Sequence, residues 1–212
     1  MYKHYQKTQQ NECLICFEPL LKNVSFAYLL KPMPICQCCM KKFVIPQRTI
    51  SFHHHSLTIL YEYNDFFRTL LYQYKGLYDY ALKDVFLCLF SIELQTIYQG
   101  WIVAVAPSSK EDNLKRGFAP MEEIAKTLNL PIFTGLYKKE KYKQSDLSYK
   151  ERLGVKEKIG ICHQEQLRGK KVLILDDVIT SGSTLTTCID LILSCSPQKI
   201  EVLILSSKNA GY

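Results

Sequence analysis

Two adjacent carboxylates followed by a hydroxyl-rich loop form the stretch richest in chemistry: Asp176-Asp177, then Thr180-Ser181-Gly182-Ser183-Thr184. Carboxylates accept hydrogen bonds from sugar hydroxyls or hold Mg²⁺, while amides and hydroxyls donate to phosphate oxygens. Capping a helix takes one hydroxyl, and this loop has four. Gly182 lets the backbone come close to a bound group. The pattern suits an anion that also carries hydroxyls.

Cysteines make the second cluster. Cys13-Leu-Ile-Cys16 and Cys36-Gln-Cys-Cys39 are two Cys-x-x-Cys knuckles with 19 residues between Cys16 and Cys36. That spacing predicts a tetrahedral zinc site, and four thiolates leave no open position, so the zinc is structural rather than catalytic. Cys38 is a spare that could replace Cys39 as ligand.

The third cluster is basic and aromatic. Lys138, Lys139, Lys141, Lys143, Lys150 and Arg152 interleave with Tyr137, Tyr142 and Tyr149. Neutralisation of a phosphate backbone combined with base stacking suits sequence-independent binding of single-stranded DNA, for which Lys138, Lys139, Lys141, Tyr142, Lys143 and Arg152 are the candidate contacts. A loop closing over a small anion would need the same residues.

These groups require particular elements beneath them. Val172 to Leu175 is a continuous apolar run, read as a strand buried on both faces, and the periodic Leu185, Cys188, Ile189 and Ile192 read as the helix that the hydroxyl loop opens. Strand, glycine turn and helix N-terminus together form an anion site. Upstream, Leu57 to Tyr63 reads as a strand, Phe66 to Tyr74 as a helix ended by Gly76, and Ala81 to Leu89 as a second helix. Trp101 to Ala106 reads as a strand leading into Ser108 and Ser109, and Lys110 to Phe118 as a charged loop. A helix from about Met121 to Leu128, a short strand at Ile132-Phe133 and a closing strand from Ile200 to Leu205 complete the pattern. Alternating strands and helices predict an α/β fold with a mostly parallel sheet, helices on both faces and a ligand beyond its carboxyl ends. His53-His54-His55 reads as an exposed linker after a zinc ribbon over 1–50, with the α/β domain over 51–212.

The 212 residues are 47% apolar, enough for one sizeable core and a small appendage. Of the net charge of +7, +6 falls in residues 138–171, which fits an anionic partner. The N-terminus lacks the apolar run of a signal peptide, and no stretch approaches the ~20 apolar residues that span a bilayer. A cytoplasmic location is expected, where nine cysteines argue for metal ligation over disulfides.

The Val172–Leu185 stretch resembles the phosphoribosyl-pyrophosphate (PRPP) motif of type I phosphoribosyltransferases. The resemblance implies that Asp176 and Asp177 take the ribose hydroxyls, that Thr180, Ser181, Gly182, Ser183 and Thr184 take the 5-phosphate, and that Mg²⁺ accompanies PRPP. In a transferase the departing pyrophosphate carries most of the charge, so Ser108, Ser109, Lys110, Lys115 and Arg116, beyond the strand end, are candidates to stabilise it. No residue stands out as a general acid or base, and no catalytic residue is named. Transferases of 6-oxopurines generally have an acid where this chain has Thr180.

With the cysteine ribbon in front, Arg116-Gly117-Phe118 and the Gln144…Leu147-Ser148…Glu151-Arg152 pattern, the chain resembles the ComF family of late competence proteins over essentially its whole length. That resemblance implies handling of incoming single-stranded DNA in natural transformation, at the inner face of the membrane, beside a competence DNA helicase and a recombination-loading protein. The chain departs from the family at Ala119-Pro120, at Val103-Ala104-Val105-Ala106-Pro107 and at Val155, all on the side of pyrophosphate and acceptor. An active transferase acting on a nitrogen acceptor, and a scaffold docking partners through the ribbon, are the alternative expectations.

Overall fold

A computed structural model describes residues 11–20, 33–46, 48–139 and 159–208. Its centre is a six-stranded sheet built from β1 (Arg48–Phe52), β2 (His55–Glu62), β3 (Ile102–Val105), β4 (Ile132–Phe133), β7 (Lys171–Ile179) and β8 (Lys199–Ser207), in the order β1-β2-β8-β7-β3-β4. Only the β1–β2 pair is antiparallel. A separate antiparallel ribbon joins β5 (Leu136–Lys138) to β6 (Ile159–Ile161).

Helices lie on both faces. One face carries α2 (Asp65–Gly76), α3 (Ser91–Ile97) and α5 (Pro120–Lys126), which follow the short ribbon helix α1 (Gln37–Met40). Phe67, Leu70 and Tyr74 of α2 and Ile124 of α5 pack there on Val103, Leu173, Leu175, Leu203 and Leu205. On the other face α6 (Ser183–Leu193) lays Leu185, Cys188, Ile189 and Ile192 on Ala104, Val172, Ile174, Val202 and Ile204. Alternate residues of each strand thus serve opposite layers, which is why the strands read as unbroken apolar runs. The cysteine ribbon belongs to the first layer: Cys13, Ile35, Cys39 and Phe43 are continuous with Leu60, Tyr61 and Phe67.

Strand order fixes where a ligand can sit. From β3 the chain moves outward to β4, and from β7 it moves the other way through α6 to β8. The connection reverses direction between β3 and β7, where open α/β sheets bind ligands beyond the strands' carboxyl ends.

Four sequence expectations need correction. The helix expected over Ala81 to Leu89 is a 3₁₀ turn, Tyr80–Asp84, followed by tight turns. Val85, Phe86, Leu87 and Cys88 are all buried, and one helical face cannot turn four consecutive side chains inward. The charged loop from Lys110 is instead α4 (Lys110–Arg116). It has no apolar face, its one large hydrophobic, Leu114, being 83% exposed; its ends hold it, through a Ser109 cap, first-turn acids Glu111 and Asp112, and left-handed Gly117. His53 and His54 form a two-residue hairpin turn, both at positive φ (48° and 65°), and His55 begins β2. Finally, β7 does not stop at Leu175: it pairs with β8 as far as Ile179↔Ser207, so the acid pair sits on a strand.

Candidate functional site: the carboxyl edge between β3 and β7

Asp176 and Asp177 sit near the carboxyl end of β7, at this reversal point. Asp176 Oδ1 accepts from the Asp177 amide at 2.9 Å, and Asp177 Oδ1 accepts from the Val178 amide at 2.7 Å. Asp177 Oδ2 takes the ammonium of Lys75, which ends α2. The donor set is all oxygen, which fits a hard cation such as Mg²⁺ as well as ribose hydroxyls.

Burial pushes the Asp176 carboxyl up to about 7, with the Asp177 charge adding to it and Lys75 opposing. The groups facing it are Asp177 on its own strand, Lys75 from α2 and the Cys188 thiol from α6. An acid raised from an ordinary value of 3.8 holds its proton more tightly folded than unfolded. Its stabilising contribution is full below about pH 4 and lost as pH rises to about 7. Asp176→Asn is expected to raise the melting temperature of the ligand-free protein by roughly 2–4 °C at pH 8 and to leave it nearly unchanged below about pH 4. Scanning fluorimetry at the two pH values checks this.

The hydroxyl loop closes the other bank. Gly182 takes the left-handed conformation (φ 73°) at the start of α6 and no side chain caps that helix. In contrast, Asn64 caps α2 and Ser109 caps α4. The Ser183 amide donates to the Ser181 hydroxyl at 3.4 Å, and the positive end of the helix behind this turn favours a bound anion. Ser181 and Ser183, both exposed, stand with hydroxyls 3.1 Å apart; Thr180 is exposed and Thr184 half-buried.

Beyond β3, Ser108 bonds Asn113, and the Ser109 hydroxyl accepts from the Asp112 amide, so neither is a free loop residue. Lys110 and Lys115 are exposed on α4. Arg116 donates Nε to the Lys75 carbonyl at 2.8 Å and a terminal nitrogen to Asn113 at 3.2 Å, with Tyr78 5.9 Å from its guanidinium. Gly117 is the left-handed cap of α4, and Phe118 packs against Tyr74 and Tyr80. Arg-Gly-Phe therefore ends a helix, ties it to α2 and seats it on the core. Sequence reasoning missed Lys75 and Asn113 as site residues. Lys75 is 102 residues from Asp177, and no local pattern links them.

Of the candidate nucleic-acid contacts, Lys138 is half-buried at the end of β5 and Lys139 is exposed. Tyr137 lies over Gly160, where any side chain would collide with its ring. Lys141, Tyr142, Lys143 and Arg152 lie outside the described residues.

A second centre stands in the ribbon. The thiol sulfurs of Cys13, Cys16, Cys36 and Cys39 all lie within 4.8 Å of one another, with Cys16 and Cys36 at 3.6 Å. A tetrahedral zinc with bonds of about 2.3 Å needs sulfurs about 3.8 Å apart, so the four could hold such an ion. Cys38 is exposed and not among them. Among the described residues no helix is long and apolar enough to cross a membrane.

The phosphoribosyl transferase domain family matches residues 114–212, which hold β7, the acid pair, the hydroxyl loop and α6. With the strand order, this defines the class: a type I phosphoribosyltransferase fold, preceded by a cysteine cluster compatible with a zinc ribbon. The chain carries a phosphoribosyltransferase-like domain. No curated protein matches it. Among solved structures it is similar to a purine phosphoribosyltransferase from Pyrococcus horikoshii, at 22% identity and TM-score 0.40, over 59% of this chain and 73% of that one. It is also similar to a hypoxanthine phosphoribosyltransferase from Staphylococcus aureus, at 19% and 0.38, over 58% and 62%. Against an allosteric regulatory enzyme of purine biosynthesis the identity is 19% and the TM-score 0.38, over 58% of this chain; the chain spans only 26% of that enzyme's length.

Proposed function

We propose that the chain binds PRPP with Mg²⁺ at the carboxyl edge between β3 and β7. The observation that carries this reading is a carboxylate pair beside a helix N-terminus whose N-cap, Gly182, offers no side chain, at the place where the connections of the described sheet reverse. In it, Asp176 and Asp177 accept from the ribose hydroxyls, and the amides and hydroxyls of Thr180, Ser181, Gly182, Ser183 and Thr184 surround the 5-phosphate. Bound Mg²⁺ neutralises pyrophosphate charge. Across the cleft, Arg116, Lys110 and Lys115 stand on α4 toward the pyrophosphate side. The Cys₄ cluster holds a structural zinc.

We further propose a role in natural transformation, supported by the sequence resemblance to the ComF family: PRPP binding would accompany the handling of incoming single-stranded DNA beside a helicase and a recombination-loading protein. The chain's +7 charge, concentrated in 138–171, favours a DNA partner. A turnover reaction on a nitrogen acceptor is the second reading, favoured by the family match over 114–212; no side chain of the described site stands out as its acid or base.

Calorimetric titration with PRPP, with and without Mg²⁺ and a single-stranded oligonucleotide, tests the proposal. Expected are Mg²⁺-dependent PRPP binding, oligonucleotide binding that falls steeply with salt, and a changed PRPP affinity when the oligonucleotide is present. No PRPP binding at millimolar ligand removes the pocket, and a salt-insensitive or absent DNA complex removes the DNA reading.

A further inference from the structure

The PRPP reading leaves one strong contact unexplained. Lys75, from a helix outside the matched residues 114–212, places its ammonium on Asp177, and its own carbonyl accepts from Arg116. One residue therefore touches both banks of the cleft: its side chain the acid bank, its backbone the α4 bank.

The helix is built to hold it there. Asn64 caps the start of α2 by accepting from the Phe67 amide at 2.8 Å. Tyr74, the neighbour of Lys75, is fully buried and bonds the Pro120 carbonyl at 2.7 Å, fixing the end of α2 to the start of α5. The side chains of Lys75 and Asp177 are only 32% and 16% exposed. An ion pair this sheltered from water is screened far less than a surface pair, and removing one partner leaves an uncompensated charge.

We infer that Lys75 is a positioning residue of the site, a built-in counter-charge that holds Asp177 in place and lets a polyanionic ligand settle beside two carboxylates. The inference rests on the PRPP reading for its ligand. Without a fixed cation, two acids at one strand end would repel each other and every phosphate brought near them. Lys75 offsets one of the two charges inside the site, so that less Mg²⁺ is needed for the rest. A carboxylate has room for about four hydrogen bonds, so Asp177 can keep Lys75 and still accept from a sugar hydroxyl. The Arg116 bond then keeps α4 at a set distance from the acids.

Two variants test it, Lys75→Met and Lys75→Arg, each checked for wild-type folding by circular dichroism. Expected for Lys75→Met is at least a tenfold loss of PRPP affinity and a higher Mg²⁺ requirement. Mg²⁺ alone should also bind it more tightly than wild type, because the freed acid pair becomes a better cation site. Lys75→Arg should restore most of the PRPP affinity. Unchanged PRPP affinity and Mg²⁺ requirement in Lys75→Met would overturn the inference. So would a loss that arginine does not rescue while affinity for Mg²⁺ alone stays at the wild-type value, which marks a merely structural role. Should wild type itself bind no PRPP, the functional reading fails, and the comparison with Mg²⁺ alone still decides the role of Lys75: equal affinities refute it.

Discussion

Serine at Cys13 and Cys39 together is expected to abolish metal binding and to lower the melting temperature of the whole chain, beyond the ribbon itself. Four thiolates gathered around an ion contribute folding energy on the order of 10 kcal/mol, comparable with the roughly 5–15 kcal/mol that holds a typical domain together. Because Cys13 and Cys39 are buried in the same apolar layer as Ile35, Phe43, Leu60, Tyr61 and Phe67, a loosened ribbon uncovers one face of the sheet. The start of α2 is tied to the same region: Phe66 packs edge-on against Phe43 at 5.1 Å, and Asn64 donates to the Lys42 carbonyl. Elemental analysis should find one zinc per chain in wild type and none in the variant, with a shift of well over 10 °C by calorimetry. A variant that keeps its metal and melts like wild type would contradict the ligand set.

The second large effect concerns the acid pair. Asp176→Asn/Asp177→Asn keeps shape and most hydrogen-bonding capacity but removes both charges. A hydrogen bond to a charged group contributes about 1.5–3 kcal/mol, so losing two is expected to weaken PRPP on the order of a hundredfold or more. Lys75 would be left without its anion, and the variant should also lose the pH 8 sensitivity ascribed to Asp176. Calorimetry at pH 8 reads the affinity. Affinity equal to wild type would remove the acids from the site.

The parts of the fold written in local patterns were legible in the sequence. The apolar runs Val172–Leu175 and Ile200–Leu205, and the stripe Leu185, Cys188, Ile189, Ile192, are burial patterns that a single strand or helix reveals by itself, and they located the acids and the loop. The two Cys-x-x-Cys knuckles are equally local, and the structure brings those four thiols together. What escaped was of two kinds. Helix α4 is specified by its caps rather than by an apolar stripe, and the segment 85–88 is buried all round, so hydrophobic period misreads both. The Lys75–Asp177 and Arg116–Lys75 contacts are tertiary: they join the end of α2 to β7 and to α4, and no spacing along the chain encodes that. His53-His54 shows a third limit. Turn chemistry usually announces itself with Asn or Gly, and here two histidines take the left-handed turn instead.

Ribose 5-phosphate is the probe that isolates the central claim, since it carries the sugar hydroxyls and the 5-phosphate but no pyrophosphate. Titrated into the wild-type protein at pH 8, it should bind in the millimolar range or better, compete with PRPP, and lose both properties in Asp176→Asn/Asp177→Asn. Absence of binding and of competition, or binding that the double variant leaves untouched, would contradict a sugar-phosphate site at the β7–α6 junction.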